Sequence, residues 1–213
     1  MKKAIWIIFG TLSTFVGLYP IIYFLIDRRF GLLSTKSAEL LIDNFWNIAF
    51  YLHIILGGLA LLIGWLQFSN KLRIKMVKLH RVIGKTYVVS VLISAIFGLY
   101  IAFFATGGVI SILGFSSLGV IWLTTTALGF KAIRNRNIEL HEKFMIYSYA
   151  ACFAAVTLRI WLPLLIIAIG EFTTAYRIVA WFSWIPNIIT AFFIVRNKAI
   201  IRKKLFANNL HKK

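Results

Sequence analysis

Six apolar runs occupy most of this chain, and each is long enough to cross a bilayer. A helix needs about 20 apolar residues to span the hydrocarbon core. The runs cover residues 4–26, 45–68, 82–105, 108–130, 144–170 and 174–195. None alternates polar and apolar residues as a barrel strand does, so the spans are helices, whose backbone polar groups are satisfied within each segment. Composition agrees. Hydrophobic residues make up 61 % and charged residues 14 %, against about 45–50 % and about 25 % in soluble domains. A water-soluble fold of this size could not hide that much apolar surface. The sequence predicts an all-α polytopic membrane protein: one integral domain of six transmembrane helices. Spans two to five form a central four-helix bundle, and spans one and six pack outside it. The first run ends in Asp27-Arg28-Arg29 without a small-residue cleavage site, so it reads as a retained span rather than a signal peptide.

The net charge of +18 is placed as a topology signal, not as a nucleic-acid surface. Two Lys/Arg precede span one, six lie in 71–85, four in 131–143 and seven from Arg196 onward. The opposite side holds only Arg28, Arg29, Lys36 and Arg177. Cationic loops stay in the cytoplasm, so the expectation is a multi-pass inner (plasma) membrane protein with both termini inside. Its basic tail, 196–213, would rest against anionic lipid headgroups, with His211 solvated. The single cysteine, Cys152, allows no internal disulfide and no cysteine-based metal site. The seven tryptophans fit interfacial belts or packing.

Polar residues recur on one stripe of three spans. In span two, His53, Gly57, Ala60, Gly64 and Gln67 share a helical face. Span three repeats the pattern with His80, Gly84, Tyr87, Ser94 and Gly98, and span five with His141, Met145, Ser148, Cys152 and Arg159. Small residues let helices approach closely in lipid, so these stripes are expected to face a common interior, as a packing seam or as a binding groove. His80 and His141 open spans three and five on the same side. Arg159 lies in the opposite half, about 27 Å along the helix from His141. An arginine at such depth costs at least about 2.5–3.5 kcal/mol, and all six acids stand at or beyond the span edges. Arg159 must therefore find carbonyls, hydroxyls, water or an anionic ligand. Pro163 and Pro186-Asn187 are expected kink sites.

These residues carry a resemblance. The pattern His53-x3-Gly57-Gly58-x-Ala60…Gly64-x2-Gln67-Phe68, then His80-Arg81-x2-Gly84-x2-Tyr87, then His141-x3-Met145-x2-Ser148-Tyr149-Ala150…Arg159-x3-Pro163 resembles bacterial membrane proteins grouped as domain of unknown function 2306. It spans roughly residues 50–163 and implies topology more than activity. Glu142 departs from the pattern, where relatives often carry Arg after the histidine.

Three readings of the histidines follow. In the first, His80 and His141 ligate one b-type haem between diagonal helices, with Gly84 giving room and Arg81 meeting a propionate. This arrangement resembles the transmembrane b-type cytochromes of the ascorbate-reducing kind and implies electron transfer toward a quinone or a small reductant. In the second, His53, His80 and His141 bind zinc beside Glu139 or Glu142, a loose likeness to membrane ceramidases; the depth of His53 opposes it. In the third, the protein is a binding, transport or accessory module. There Arg159 meets a small anion, Ser148 and the groove from His53 to Gln67 contact the ligand, and a quinone could lie near Gln67 and Trp65.

Overall fold

The computed structural model describes residues 3–26 and 31–210, with side chains described through Arg202. The topology residues Arg28 and Arg29 and the tail residue His211 lie outside the described residues. Among the described residues there is no strand. Six helical spans are long and apolar enough to cross a membrane: Lys3–Leu25, Asn44–Phe68, Val77–Ala102, Val109–Arg134, Ile138–Ile169 and Phe172–Arg202. An even number of crossings puts Lys3 and Arg202 at the same end of the molecule, here called the termini end; the opposite end is the far end.

Each span has a local reason to start or stop. Asp43 caps span two by accepting from the Trp46 amide at 2.6 Å, and Asn137 caps span five by accepting from the Leu140 amide at 2.9 Å. Gly107 and Gly108 adopt φ of 96° and 69° and turn the chain between spans three and four. His80 and His141 are each the fourth residue of their helices, Val77–Ala102 and Ile138–Cys152, so both stand within the first turn.

Span one tightens into a 3-10 turn at its proline, Tyr19–Ile21, whereas spans five and six are broken elsewhere than at theirs. Span five is continuous through Pro163 but interrupted at Phe153, between Ala154–Ile169 and the helix before it. The cause is a side chain from span six. Asn187 Nδ2 donates to the Ala150 carbonyl at 3.3 Å and to Thr157 Oγ1 at 3.1 Å, drawing the ladder apart there. The break lies ten residues from Pro163, toward the termini end. Span six breaks at Ser183–Trp184, and Pro186 sits in the first turn of the helix that follows, where its missing N–H costs nothing.

Spans two, three, four and five pack in sequence, and span two closes the ring against span five. Their shared core is Ala60, Leu61, Tyr87, Val91, Trp122, Tyr149, Cys152 and Val156. Bilayer lipid offers no hydrophobic gain for joining helices, so close packing must supply it. Span one approaches span two through glycine: a Cβ at Gly58 would come 2.6 Å from the Gly17 carbonyl oxygen. Spans one and six flank the four-helix ring, yet they are more than outer packing. Ser13 of span one is fully buried and accepts from the Tyr149 hydroxyl at 3.0 Å. Val16, Pro20 and Tyr23 of span one and Tyr176 of span six also help wall the central cavity.

Candidate functional site

The three polar stripes do converge, and each half of the molecule uses them differently. In the far half they surround a cavity of about 260 Å³. His53, Gly57, Gly98, Trp122, Cys152 and Arg159 come from spans two to five, and Lys36 from the loop after span one. Gly98 makes the space for His53, since a Cβ there would stand 2.6 Å from the imidazole Nδ1. The His53 Nδ1 lies 2.9 Å from the Ser94 carbonyl oxygen. A carbonyl only accepts, so Nδ1 carries the proton and the neutral ring presents Nε2 as an acceptor. Ser94 returns the contact by donating its hydroxyl to the His53 carbonyl at 2.8 Å.

Arg159 is the charge in this wall. Its Nη1 donates to the Ala155 carbonyl at 2.9 Å, and its guanidinium carbon stands 4.3 Å from the Tyr19 ring centroid. A cation over an aromatic face is attracted by the ring quadrupole. The Arg159 Nε is buried without a hydrogen-bond partner. Among the described residues the ion pairs all use Glu139 or Glu142, so no carboxylate answers Arg159.

A short cap covers the cavity at the far end. It consists of the turns Gly31–Thr35 and Ala38–Ile42. Leu33, only 1 % exposed, plugs into Tyr23, Leu41, Trp46 and Phe50. Lys36 Nζ donates to the Phe104 carbonyl at 2.5 Å and to Thr106 Oγ1 at 3.1 Å, pinning the cap to the turn between spans three and four. Burial holds the Lys36 ammonium below its ordinary pKa.

Toward the termini end the stripes are filled. A Cβ at Gly64 would meet the Tyr149 ring at 2.5 Å and the Tyr87 ring at 2.7 Å. Tyr87 OH lies 2.8 Å from Ser148 Oγ, and Ser148 Oγ 2.6 Å from Thr126 Oγ1. Tyr149 OH donates to the Leu61 carbonyl at 3.1 Å. The groove expected from His53 to Gln67 is thus two features: an open wall down to Leu61 and a sealed floor below it. Ser148 belongs to the floor, fully buried and bonded on two sides.

Below the floor lie the two other histidines. Gln67 Nε2 donates to the His80 carbonyl at 3.1 Å, and the Gly84 slot faces that same amide, 3.5 Å from where a Cβ would sit. Gln67 thus borders the Gly84 position expected to give a flat macrocycle room. Trp65 faces span one, its ring against Trp6 and Gly10, which leaves it turned away from Gln67's partner His80. His141 Nδ1 lies 2.9 Å from the Gly129 carbonyl, which fixes its proton on Nδ1 and frees Nε2. His80 is within electrostatic reach of His141, Arg73 and Arg81, and its Nδ1 is buried without a partner. Arg81 is exposed. The zinc reading fails on geometry: among the described residues no three His, Cys, Asp or Glu side chains gather as a metal site.

Glu142 has a role that the sequence did not disclose. It pairs with Arg73 at 3.3 Å, with Lys198 at 2.5 Å and with Arg202, while Arg202 also meets Glu139 at 3.3 Å. This acid gathers cations from the segment before span three and from the end of span six. Lys36 and Tyr19 were equally hidden; the sequence signal for Tyr19 is only a Tyr-Pro step at the end of an apolar run.

No curated protein and no solved structure matches the chain. A family model matches residues 50–195, from within span two into span six, more than half of the chain. The chain belongs to the predicted membrane protein family DUF2306.

Proposed function

We propose that this protein is a membrane-embedded binding or carrier module that holds a small molecule in the central cavity. The observation that carries the reading is Arg159: a guanidinium in the wall of a largely apolar cavity, with a buried, unpartnered Nε and no carboxylate partner among the described residues. Ligand sites are typically apolar clefts with a few placed polar groups. Here Arg159 supplies donors and positive charge, and His53 supplies an acceptor at Nε2. The protein sits in a bacterial plasma membrane with both termini in the cytoplasm, and its basic end contacts anionic lipid. The test is thermal unfolding of the purified protein with a panel of small anions and amphiphiles. The expected result is a rise in midpoint with at least one of them, absent in Arg159→Gln. A folded Arg159→Gln protein showing the same shifts as wild type would refute the reading.

A second reading keeps one b-type haem at His80 and His141, for electron transfer with a quinone or a small reductant. One observation favours it. Metal-ligating histidines commonly donate Nδ1–H to a carbonyl, as His141 does to Gly129, and the His80 Nδ1 lacks a partner. Gln67 borders Gly84 and would have to swing aside for a ring there. A bound haem would supply one-electron chemistry. The chain's own part would be to orient His141 through Gly129 and to meet propionates with Arg81. A reduced-minus-oxidised visible spectrum decides: haem bands lost in His80→Ala and His141→Ala support the reading, and a colourless protein made with ample haem ends it.

A further inference from the structure

The chemistry of the cavity wall narrows what can sit inside it. Among the described residues two cations line it, Lys36 and Arg159. Lys36 is committed to Phe104 and Thr106. Arg159 uses one of its nitrogens on the Ala155 carbonyl and leaves Nε buried and unpartnered. Trp46, 2 % exposed and also in the wall, has its Nε1–H buried without a partner. Beside the His53 Nε2 acceptor, the buried unmet groups of the wall are therefore donors, and one of them is charged. Among the described residues no Asp or Glu lines the cavity. Away from Arg159 the wall is Val16, Ile54, Leu61, Ala95, Leu118 and Leu158. A free inorganic anion would satisfy the donors but gain nothing from those side chains. A neutral apolar molecule would fill the space but leave a buried guanidinium unanswered, which costs more than an unmet neutral donor.

From this juxtaposition of one uncompensated buried guanidinium with an apolar chamber, we infer that the ligand is a single-chain carboxylate amphiphile of the fatty-acid class. The inference rests on the reading of the cavity as a binding site. The carboxylate pairs with Arg159 beneath the cap, with two oxygens matched to the guanidinium fork. The chain points toward the floor at Leu61 and Cys152. One uncompensated cation matches a monoanion; a phosphate monoester would bring a second charge with no partner. The cavity, about 260 Å³, lies just below the range of about 300–1,000 Å³ usual for whole drug-sized ligands. It suits a headgroup and the first part of a chain, with the remainder lying among the spans.

The experiment compares four probes of equal chain length: laurate, dodecanol, dodecyl phosphate and a dodecyl-substituted benzoquinone. The full protein is held in phosphatidylcholine nanodiscs at mildly alkaline pH, where laurate is ionised. Binding is read by isothermal titration calorimetry, with empty nanodiscs as the partition control. Laurate is expected to bind at least about tenfold more tightly than dodecanol, the worth of one hydrogen bond to a charged group. In Arg159→Gln the two should become equal, with circular dichroism confirming a folded protein, and Arg159→Lys should restore part of the difference. Should Arg159→Gln fail to fold, the Arg159→Lys variant and the ranking of the four probes on wild type still decide. Dodecanol or the quinone binding as tightly as laurate, or dodecyl phosphate binding more tightly, overturns the carboxylate assignment and leaves the binding reading standing. All four indistinguishable from empty nanodiscs overturns both.

Discussion

The two halves of this molecule are built from the same stripes and do opposite things with them. In the far half Gly57 and Gly98 face a serine hydroxyl and an imidazole, and the space beyond stays open as a cavity. In the termini half Gly64 faces two tyrosine rings, and the same stripe becomes solid. The far half leaves a cation without a carboxylate; the termini half gathers its charges around Glu142. A small residue on an interior face is therefore not yet a groove. What opposes it decides, and only the fold says what that is.

The sharpest way to break the contrast is to add one methyl group to each half. Tyr149 and Tyr87 are both held by their hydroxyls, so they cannot move away from a new Cβ at Gly64. Gly64→Ala is expected to cost about 2 kcal/mol by overpacking. Gly57→Ala brings its Cβ to 3.1 Å from Ser94 Oγ, with Trp122 next at 3.7 Å, and should cost less than about 1 kcal/mol. Unfolding by sodium dodecyl sulfate titration reads both. Equal costs would mean that the floor is as yielding as the cavity wall.

Next in size is the floor's hydroxyl cluster. Ser148→Ala removes the partner of Tyr87 OH, both residues being essentially fully buried. Thr126 keeps its bond to the Trp122 carbonyl at 2.7 Å. One buried hydroxyl left unmet costs about 1–3 kcal/mol, and the same titration should find that loss. Ser148→Ala should leave ligand binding in the cavity unchanged; a lost ligand shift in this variant would place Ser148 in the site rather than under it.

Much of this was legible in the sequence, for physical reasons. The spans were, because a bilayer sets a length and an apolar content that few other constraints mimic. So was the inward facing of His53, Ser148 and Arg159, because a polar group in lipid has nowhere else to go. The partition of the groove was not. Gly64 and Gly57 look alike along the chain, and the tyrosines that fill one of them come from spans three and five. The break at Phe153 was hidden for the same reason: its cause, Asn187, stands 34 residues away in sequence. Pro163 drew attention because proline is a local signal; the cause of the break at Phe153 is not local.

Glu142→Gln tests the other side of the comparison, the claim that the termini half is held partly by charge. Glu142 keeps 19 % of its side-chain surface exposed, and its three cations 35–43 %. Solvent therefore screens these pairs, and a surface pair contributes only about 0–1 kcal/mol; three on one carboxylate put the expected loss near the top of that range. The loss should shrink as salt rises, because exposed charges are screened over about 10 Å at 0.1 M. A loss independent of salt would mean that packing, not charge, is what the substitution removes.

The smallest effect belongs to the turn between spans five and six. Gly170 closes span five at φ 77°, and Glu171 then caps span six, its carboxylate accepting from the amides of Thr174 and Thr173 at 2.6 Å each. The Thr174 side-chain hydroxyl first, and then those two amide bonds, hold the Glu171 carboxyl down at about 2 from an ordinary value of 4.5. A carboxyl whose folded pKa is depressed stabilises the fold above its unfolded pKa. Its contribution is fully present above about 4.5 and is lost as pH falls toward about 2. Glu171→Gln should remove that part of the acid sensitivity and leave stability at neutral pH only slightly lower, since Glu171 is exposed. Comparing thermal midpoints of wild type and variant across this pH window reads the difference. Parallel curves would assign the acid loss to Glu142 and the termini end instead, the region where the carboxylates are better buried and more heavily paired.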